Sequence, residues 1–211
     1  MKTAIRRAEE LGRALVMAPE RWVSALDDDD DGICLGELVE ERRVRVEVAP
    51  SSLVIDTTHA RDGWLDIPSA MRATEPAKSA KKAAVEGDLV VSRLRPYLRQ
   101  LALIHPRVLA ESNGRTLALS TEFYVLSPRE EGASLAFLLP HLLSEPVQAR
   151  LAAAQEGGHH PRVPRESLFA LKIPVQIVEE RSARSRQVLQ ALDSLYEAFF
   201  RYHALAAPRS R

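Results

Sequence analysis

The chain has 211 residues, with 29 lysines and arginines against 29 aspartates and glutamates and a formal net charge of zero. That balance excludes a global pull toward a polyanion and confines any nucleic-acid contact to local patches. The length buries one substantial core with helical extensions rather than two full domains, and the single cysteine, Cys34, rules out an intrachain disulfide.

No stretch has the length and apolarity of a membrane span. Met1 to Glu20 is charged and lacks the apolar centre of a signal peptide, so a cytoplasmic protein without membrane contact is expected. Residues 3–18 read as a helix: Ala4, Ala8, Leu11 and Leu15 recur at spacings of four, three and four, while Arg6, Arg7, Glu9, Glu10 and Arg13 fall elsewhere. Such a seam seeks another helix. With Trp22, Val23 and Leu26 it makes an N-terminal arm over 1–26. Asp27 to Asp31 repel one another and lack the alternate spacing of a calcium loop, so 27–32 reads as a solvated linker.

The spacing of Leu35, Leu38 and Val39 predicts a short helix over 33–43, and the alternation of Val44, Val46 and Val48 predicts a strand after it. Val54-Ile55-Asp56 is a further strand candidate, and Gly63 to Pro68 reads as a loop anchoring Trp64. Lys78, Lys81 and Lys82 form a basic cluster that serves either solubility or phosphate contact.

At the centre, Leu89-Val90-Val91 follows a Gly-Asp turn signal, and Leu101 to Ile104 and Phe123 to Leu126 are further strand-like runs. Between the first two lie Ser92, Arg93, Arg95, Pro96, Tyr97 and Arg99; Pro96 keeps this segment from being a central strand, so its arginines belong on a loop at a sheet edge. The planar arginine fork suits phosphates and guanine edges, and tyrosine offers a stacking face. The alternative is an exposed turn whose arginines pair with nearby carboxylates.

Ser134 to Leu143 and Pro146 to Gln155 then read as helices, with a flexible turn at Gly157 to Arg162. The doublet His159-His160 favours phosphate or base contact over metal, because adjacent histidines rarely reach one ion together. Residues 179–205 read as the longest helix, with Val188, Leu192, Leu195, Phe199 and Tyr202 at heptad spacing and Leu189, Tyr196 and Phe200 widening the seam. Pro208 to Arg211 is a basic tail.

Four pieces carry a family resemblance, in this order: Leu35-Gly36-Glu37-Leu38; Gly87-Asp88 running into Ser92-Arg93-Leu94-Arg95-Pro96-Tyr97-Leu98; Ser120-Thr121-Glu122-Phe123 with Val125-Leu126; and Pro161-Arg162-Val163-Pro164-Arg165 with Leu168 and Ile173-Pro174. Over residues 33–200 the chain resembles the target recognition domain of type I restriction-modification DNA specificity subunits. His159-His160 departs from the Thr-Gln-like or small polar pair common in that family.

The resemblance implies an α+β fold: a target-recognition-type domain over 33–175 with a small mixed or antiparallel sheet and covering helices. A long coiled-coil-like C-terminal helix over 176–206 and the N-terminal helix complete it. A typical member carries two recognition domains separated by long helices, and this chain has room for one, a half-length form. No catalytic residues, metal or cofactor are implied. The implied partners are double-stranded DNA, methyltransferase-like and motor or nuclease subunits, and a second copy paired through the long helices. The implied task is phage defence by choosing the DNA site.

Candidate DNA contacts are then Ser92, Arg93, Arg95, Tyr97, Arg99, Thr121, Glu122, His159, His160, Arg162 and Arg165, and candidate helix-interface residues are Val188, Leu192, Leu195 and Phe199. Glu122 either accepts from a cytosine amino group or pairs with an arginine; Arg95 and Tyr97 either read or brace. A second reading is a helical adaptor that has lost DNA reading, favoured by zero net charge and the N-terminal helix. An enzyme is disfavoured: there is no Asn-Pro-Pro-Tyr-like stretch and no strand-linked glycine fingerprint.

Overall fold

A computed structural model describes residues 32–73 and 80–206. The N-terminal arm, most of the acidic linker, Lys78 and the basic tail lie outside the described residues.

The chain opens with β1 (Gly32–Cys34), α1 (Leu35–Leu38), β2 (Val39–Glu41), β3 (Arg45–Val46) and β4 (Ser52–Ile55). The expected helix over 33–43 is therefore only one turn long. Its flanks are drawn into two different sheets, and an isolated turn too short to sustain helix cooperativity yields to those pairings. The expected strand over 44–48 likewise contracts to β3.

Next come β5 (Ala60–Arg61), β6 (Trp64–Leu65), α2 (Ile67–Arg72), β7 (Lys81–Ala83), β8 (Leu89–Ser92), β9 (Leu101–Leu103), α3 (Pro106–Glu111), β10 (Thr116–Leu119) and β11 (Phe123–Pro128). The central sheet has the order β2-β11-β8-β9 with every pair antiparallel. Every residue of β8 and β9 and Phe123 to Ser127 of β11 are buried, so these strands are covered on both faces, and that is why they read as unbroken apolar runs. A second sheet has the order β3-β7-β10-β4, in which only β4 and β10 run parallel. That parallel pair joins residues more than sixty apart, beyond the reach of local sequence patterns.

The Gly-Asp signal before β8 has a physical cause. Gly87 sits at φ +83°. The buried Asp88 carboxylate accepts from Val85 N–H at 2.9 Å and from Arg42 Nε and Nη2 at 2.8 and 3.2 Å, tying this turn to the residue that follows β2.

The chain ends with α4 (Leu139–Leu142), α5 (Glu145–Ala153), α6 (Arg165–Phe169), β12 (Lys172–Pro174), α7 (Val175–Glu179) and α8 (Arg181–Ala206). Residues 134–143, expected as one helix, form a 3-10 turn over Ala136–Leu138 and then α4. Pro140 has no N–H to give the Ala136 carbonyl, so a continuous helix would lose that bond. β12 pairs antiparallel with β1, setting Gly32 opposite Pro174 at the foot of α7 and α8.

α8 closes the core with a face rotated from the expected seam. Ser185, Leu192 and Tyr196 are buried on it, with Leu189 and Phe200 partly buried alongside. Phe199 packs edge-on against Trp64 at 4.5 Å between ring centres, and Tyr196 stacks on His105 and Phe200. At 3.6 residues per turn the heptad positions drift, leaving Leu195 and Tyr202 on the outer flank. Leu192 and Phe199 thus serve the core of their own domain, Val188 is half-buried, and Leu195 faces outward. Among the described residues no helix is long and apolar enough to cross a membrane.

The Tyr196 hydroxyl accepts the Leu65 N–H at 2.8 Å, and burial pushes the phenol well above its ordinary pKa, so it stays protonated. Tyr196→Phe leaves that buried N–H without its partner and is expected to cost about 1–3 kcal/mol in urea unfolding.

Candidate nucleic-acid interface

Three segments far apart in sequence converge where β8 ends and β11 begins. Ser92 pairs with Phe123 in the ladder. Beyond it, Arg93 N–H donates to the Glu122 carbonyl at 2.8 Å, and Val163 N–H donates to the Arg93 carbonyl at 2.9 Å. A bridge joins Leu94 to Arg162, and Arg162 and Glu156 exchange backbone hydrogen bonds at 2.8 and 2.9 Å. The loops containing 92–99, 120–122 and 156–165 are therefore one rigid backbone unit.

Between them opens a cleft of about 450 Å³ whose lining sets Arg43, Lys82, Arg93, Arg162 and Arg165 against Glu41, Glu156 and Glu166. Tyr124 anchors its wall: the phenol donates to the Val163 carbonyl at 2.9 Å, and the Arg93 guanidinium lies 5.3 Å from its ring centre. The Nε of Arg93 is buried with no hydrogen-bond partner among the described residues.

Glu41 is the internal counter-charge. Lys82 Nζ donates to it at 3.2 Å and Arg43 Nε at 3.0 Å, while Arg165 Nε lies 3.3 Å away as an ion pair without hydrogen-bond alignment. Burial works to raise the Glu41 carboxyl, but Lys82 and then Arg43 outweigh it and hold it below its ordinary value. Lys82 also donates to the Phe123 carbonyl at 2.6 Å, and Arg165 lies 3.9 Å over the Phe169 ring.

The expected contact residues thus fall into distinct groups. Ser92 is buried, and its hydroxyl bonds both the Leu94 N–H and the Leu94 carbonyl, so it braces the turn. Glu122 forms a two-pronged ion pair with Arg162, at 2.9 Å from Nε and 2.6 Å from Nη2. Thr121, His159 and His160 are exposed on the rim.

Arg95, Tyr97 and Arg99 form a separate projection. Arg95 and Arg99 both have left-handed backbone, at φ +45° and +49°, and flank a 3-10 turn over Pro96–Leu98 that rests on α5. The base is closed by Ser92 N–H to the Gln100 carbonyl at 2.9 Å, and the tip exposes 67% of Tyr97. Neither Glu41 nor Tyr124 was singled out from sequence as part of the site, and nothing local marks them; Lys82 was singled out only as part of a surface cluster.

The Arg162 hydrogen bond holds the Glu122 carboxyl below its ordinary value near 4.5. A lowered folded-state pKa contributes stability that is present above the unfolded value and is lost as pH falls through the folded one. The stability gap between wild type and Glu122→Gln is therefore expected to be present at pH 7 and to close as the pH falls through the lowered Glu122 value, beneath the ordinary carboxylate range, followed by denaturant unfolding across an acid pH series.

No protein family's sequence profile matches the chain, and no curated protein matches it. Among solved structures, it is similar to a chain described for complex assembly and conformational transition of the type I R-M system, with 20% identity and a TM-score of 0.48 over 83% of this chain and 45% of that one. It is also similar to the HsdS subunit from Thermoanaerobacter tengcongensis, with 21% identity and a TM-score of 0.44 over 82% of this chain and 43% of that one. The chain spans less than half the length of either structure.

Proposed function

We propose that this protein reads DNA sequence as a half-length specificity subunit and directs methyltransferase-like and motor or nuclease subunits to a site, with no catalytic step of its own. The observation that carries this reading is the gathering of Arg93, Arg162, Arg165 and Lys82 at one cleft beside a rigid arginine-bearing loop, in a chain whose net charge is zero. The two parts have different tasks. Cleft cations, five against the three carboxylates of Glu41, Glu156 and Glu166, take up the backbone and fix register; the projecting Arg95, Tyr97 and Arg99 reach base edges.

Electrophoretic retardation of random-sequence duplex by the purified chain tests this. Retention at about 50 mM salt that weakens steeply by about 200 mM is expected, through release of counterions from contacted phosphates. A folded chain that retains no duplex at low salt rejects DNA reading and favours the helical adaptor, for which the exposed Leu195, Tyr202 and Leu205 are the supporting observation.

A further inference from the structure

The 3-10 turn over Pro96–Leu98 carries two neighbouring apolar side chains into solvent: Tyr97 is 67% exposed and Leu98 43%. Among the described residues Tyr97 has neither a hydrogen bond nor a ring contact. One exposed apolar side chain is ordinary, but these two sit on backbone that is fixed on several sides. Leu98 N–H donates to the Arg95 carbonyl at 2.9 Å and Arg99 N–H to the Pro96 carbonyl at 2.7 Å. Asp62 N–H donates to the Arg99 carbonyl at 3.1 Å, and Pro96 is buried.

Arg95 and Arg99 stand on either side of this tip. Both hold left-handed backbone, which disfavours any residue but glycine, and neither side chain makes an ion pair among the described residues. The turn rises directly from the cationic cleft, since Leu94 is bridged to Arg162 and Arg93 lines the cleft one residue earlier. An apolar tip between two unpaired cations suits a ligand that is anionic outside and apolar within. Duplex DNA has that construction, with phosphates outside and stacked base faces inside.

We propose that Tyr97, with Leu98 beside it, is a wedge that enters one base step of the duplex and unstacks it, a role beyond edge contact that rests on the DNA reading proposed above. An inserted apolar side chain partly unstacks a step and kinks the duplex there. The phenol ring takes the place of the lost neighbour by stacking on the exposed base face. A tip already fixed before binding loses little conformational freedom in doing so. The entered step then adds specificity through how easily it opens, so flexible TA and CA/TG steps are favoured over stiff ones at that position.

Competition at about 50 mM salt between two short duplexes of one sequence, one fully paired and one with a single central T·T mismatch, tests this with the full chain. The mismatch has already given up part of its stacking, so the chain is expected to bind it about fivefold or more tighter. Tyr97→Ala is expected to abolish that preference and Tyr97→Phe to keep it, because the ring face enters and the hydroxyl does not. Both variants are expected to keep the wild-type denaturant midpoint, since Tyr97 is exposed. Retention of neither duplex rejects DNA reading itself, and the wedge falls with it. Equal retention of the two leaves DNA reading standing and overturns the wedge. So does a preference that survives Tyr97→Ala, which assigns the distortion to another element. A preference lost in Tyr97→Phe as well as in Tyr97→Ala makes Tyr97 a hydroxyl reader of base edges and likewise overturns the wedge.

Discussion

Replacing both left-handed arginines by glycine, Arg95→Gly with Arg99→Gly, is expected to weaken DNA retention by roughly 30-fold or more without destabilising the fold. Each bidentate arginine contact to a guanine edge is worth about 1–3 kcal/mol, so losing two costs at least about 2 kcal/mol of binding. The stability side has the opposite sign. A residue other than glycine pays about 1–2 kcal/mol to hold a left-handed backbone, and glycine relieves it while making the unfolded chain somewhat freer. Over the two sites the net change in unfolding free energy is therefore expected to lie between zero and about 3 kcal/mol of stabilisation. Backbone strain retained at two arginines on one short turn makes sense if the side chains have a use there that glycine cannot supply. Denaturant unfolding and retardation with the same sample separate the two effects. Unchanged retention by the folded double variant removes this turn from the reading surface; loss of both stability and retention means that the arginines brace the fold.

Local chemistry made some of this structure legible and left the rest hidden. The runs 89–92, 101–103 and 123–128 could be read as strands because burial on both faces demands unbroken apolar sequence, and the Gly87-Asp88 pair marked a turn that the buried carboxylate does hold. β10 and α3 were not anticipated. β10 is defined by a parallel pairing with β4, and α3 starts from His105 and Pro106 with only one turn and a half of chain. The long helix was readable as a helix, but its inward face was not. Leu192 and Phe199 belong to the seam that the heptad predicts, yet Tyr196 sits deepest because the chain supplies an N–H at Leu65 for its hydroxyl. In the candidate site, arginines on loops were visible from composition. Their partners were not: Glu41 lies far from Lys82 and Arg165 in sequence, so nothing local reveals that it pairs with both.

A single short, asymmetric DNA motif is the expected form of the recognised site, and the alternative differs in kind. One recognition domain presents one loop set, so a monomer reads one stretch of duplex in one orientation. If instead two copies paired their α8 helices antiparallel, the projection from Arg95 to Arg99 would be offered twice about a two-fold axis, and both copies would read the same bases on opposite strands. Such a dimer requires an interrupted palindrome. Its spacer would be set by the 26-residue α8, about 39 Å at 1.5 Å per residue, slightly more than one turn of duplex if the helices lie along it. Sequencing DNA retained by the purified chain from a random pool distinguishes the outcomes directly. An asymmetric motif, bound by a monomer, agrees with one copy reading alone. An interrupted palindrome with a spacer of about one turn requires the two-fold assembly. Retention without any sequence preference leaves the phosphate contacts of the cleft standing and removes base reading by the loop.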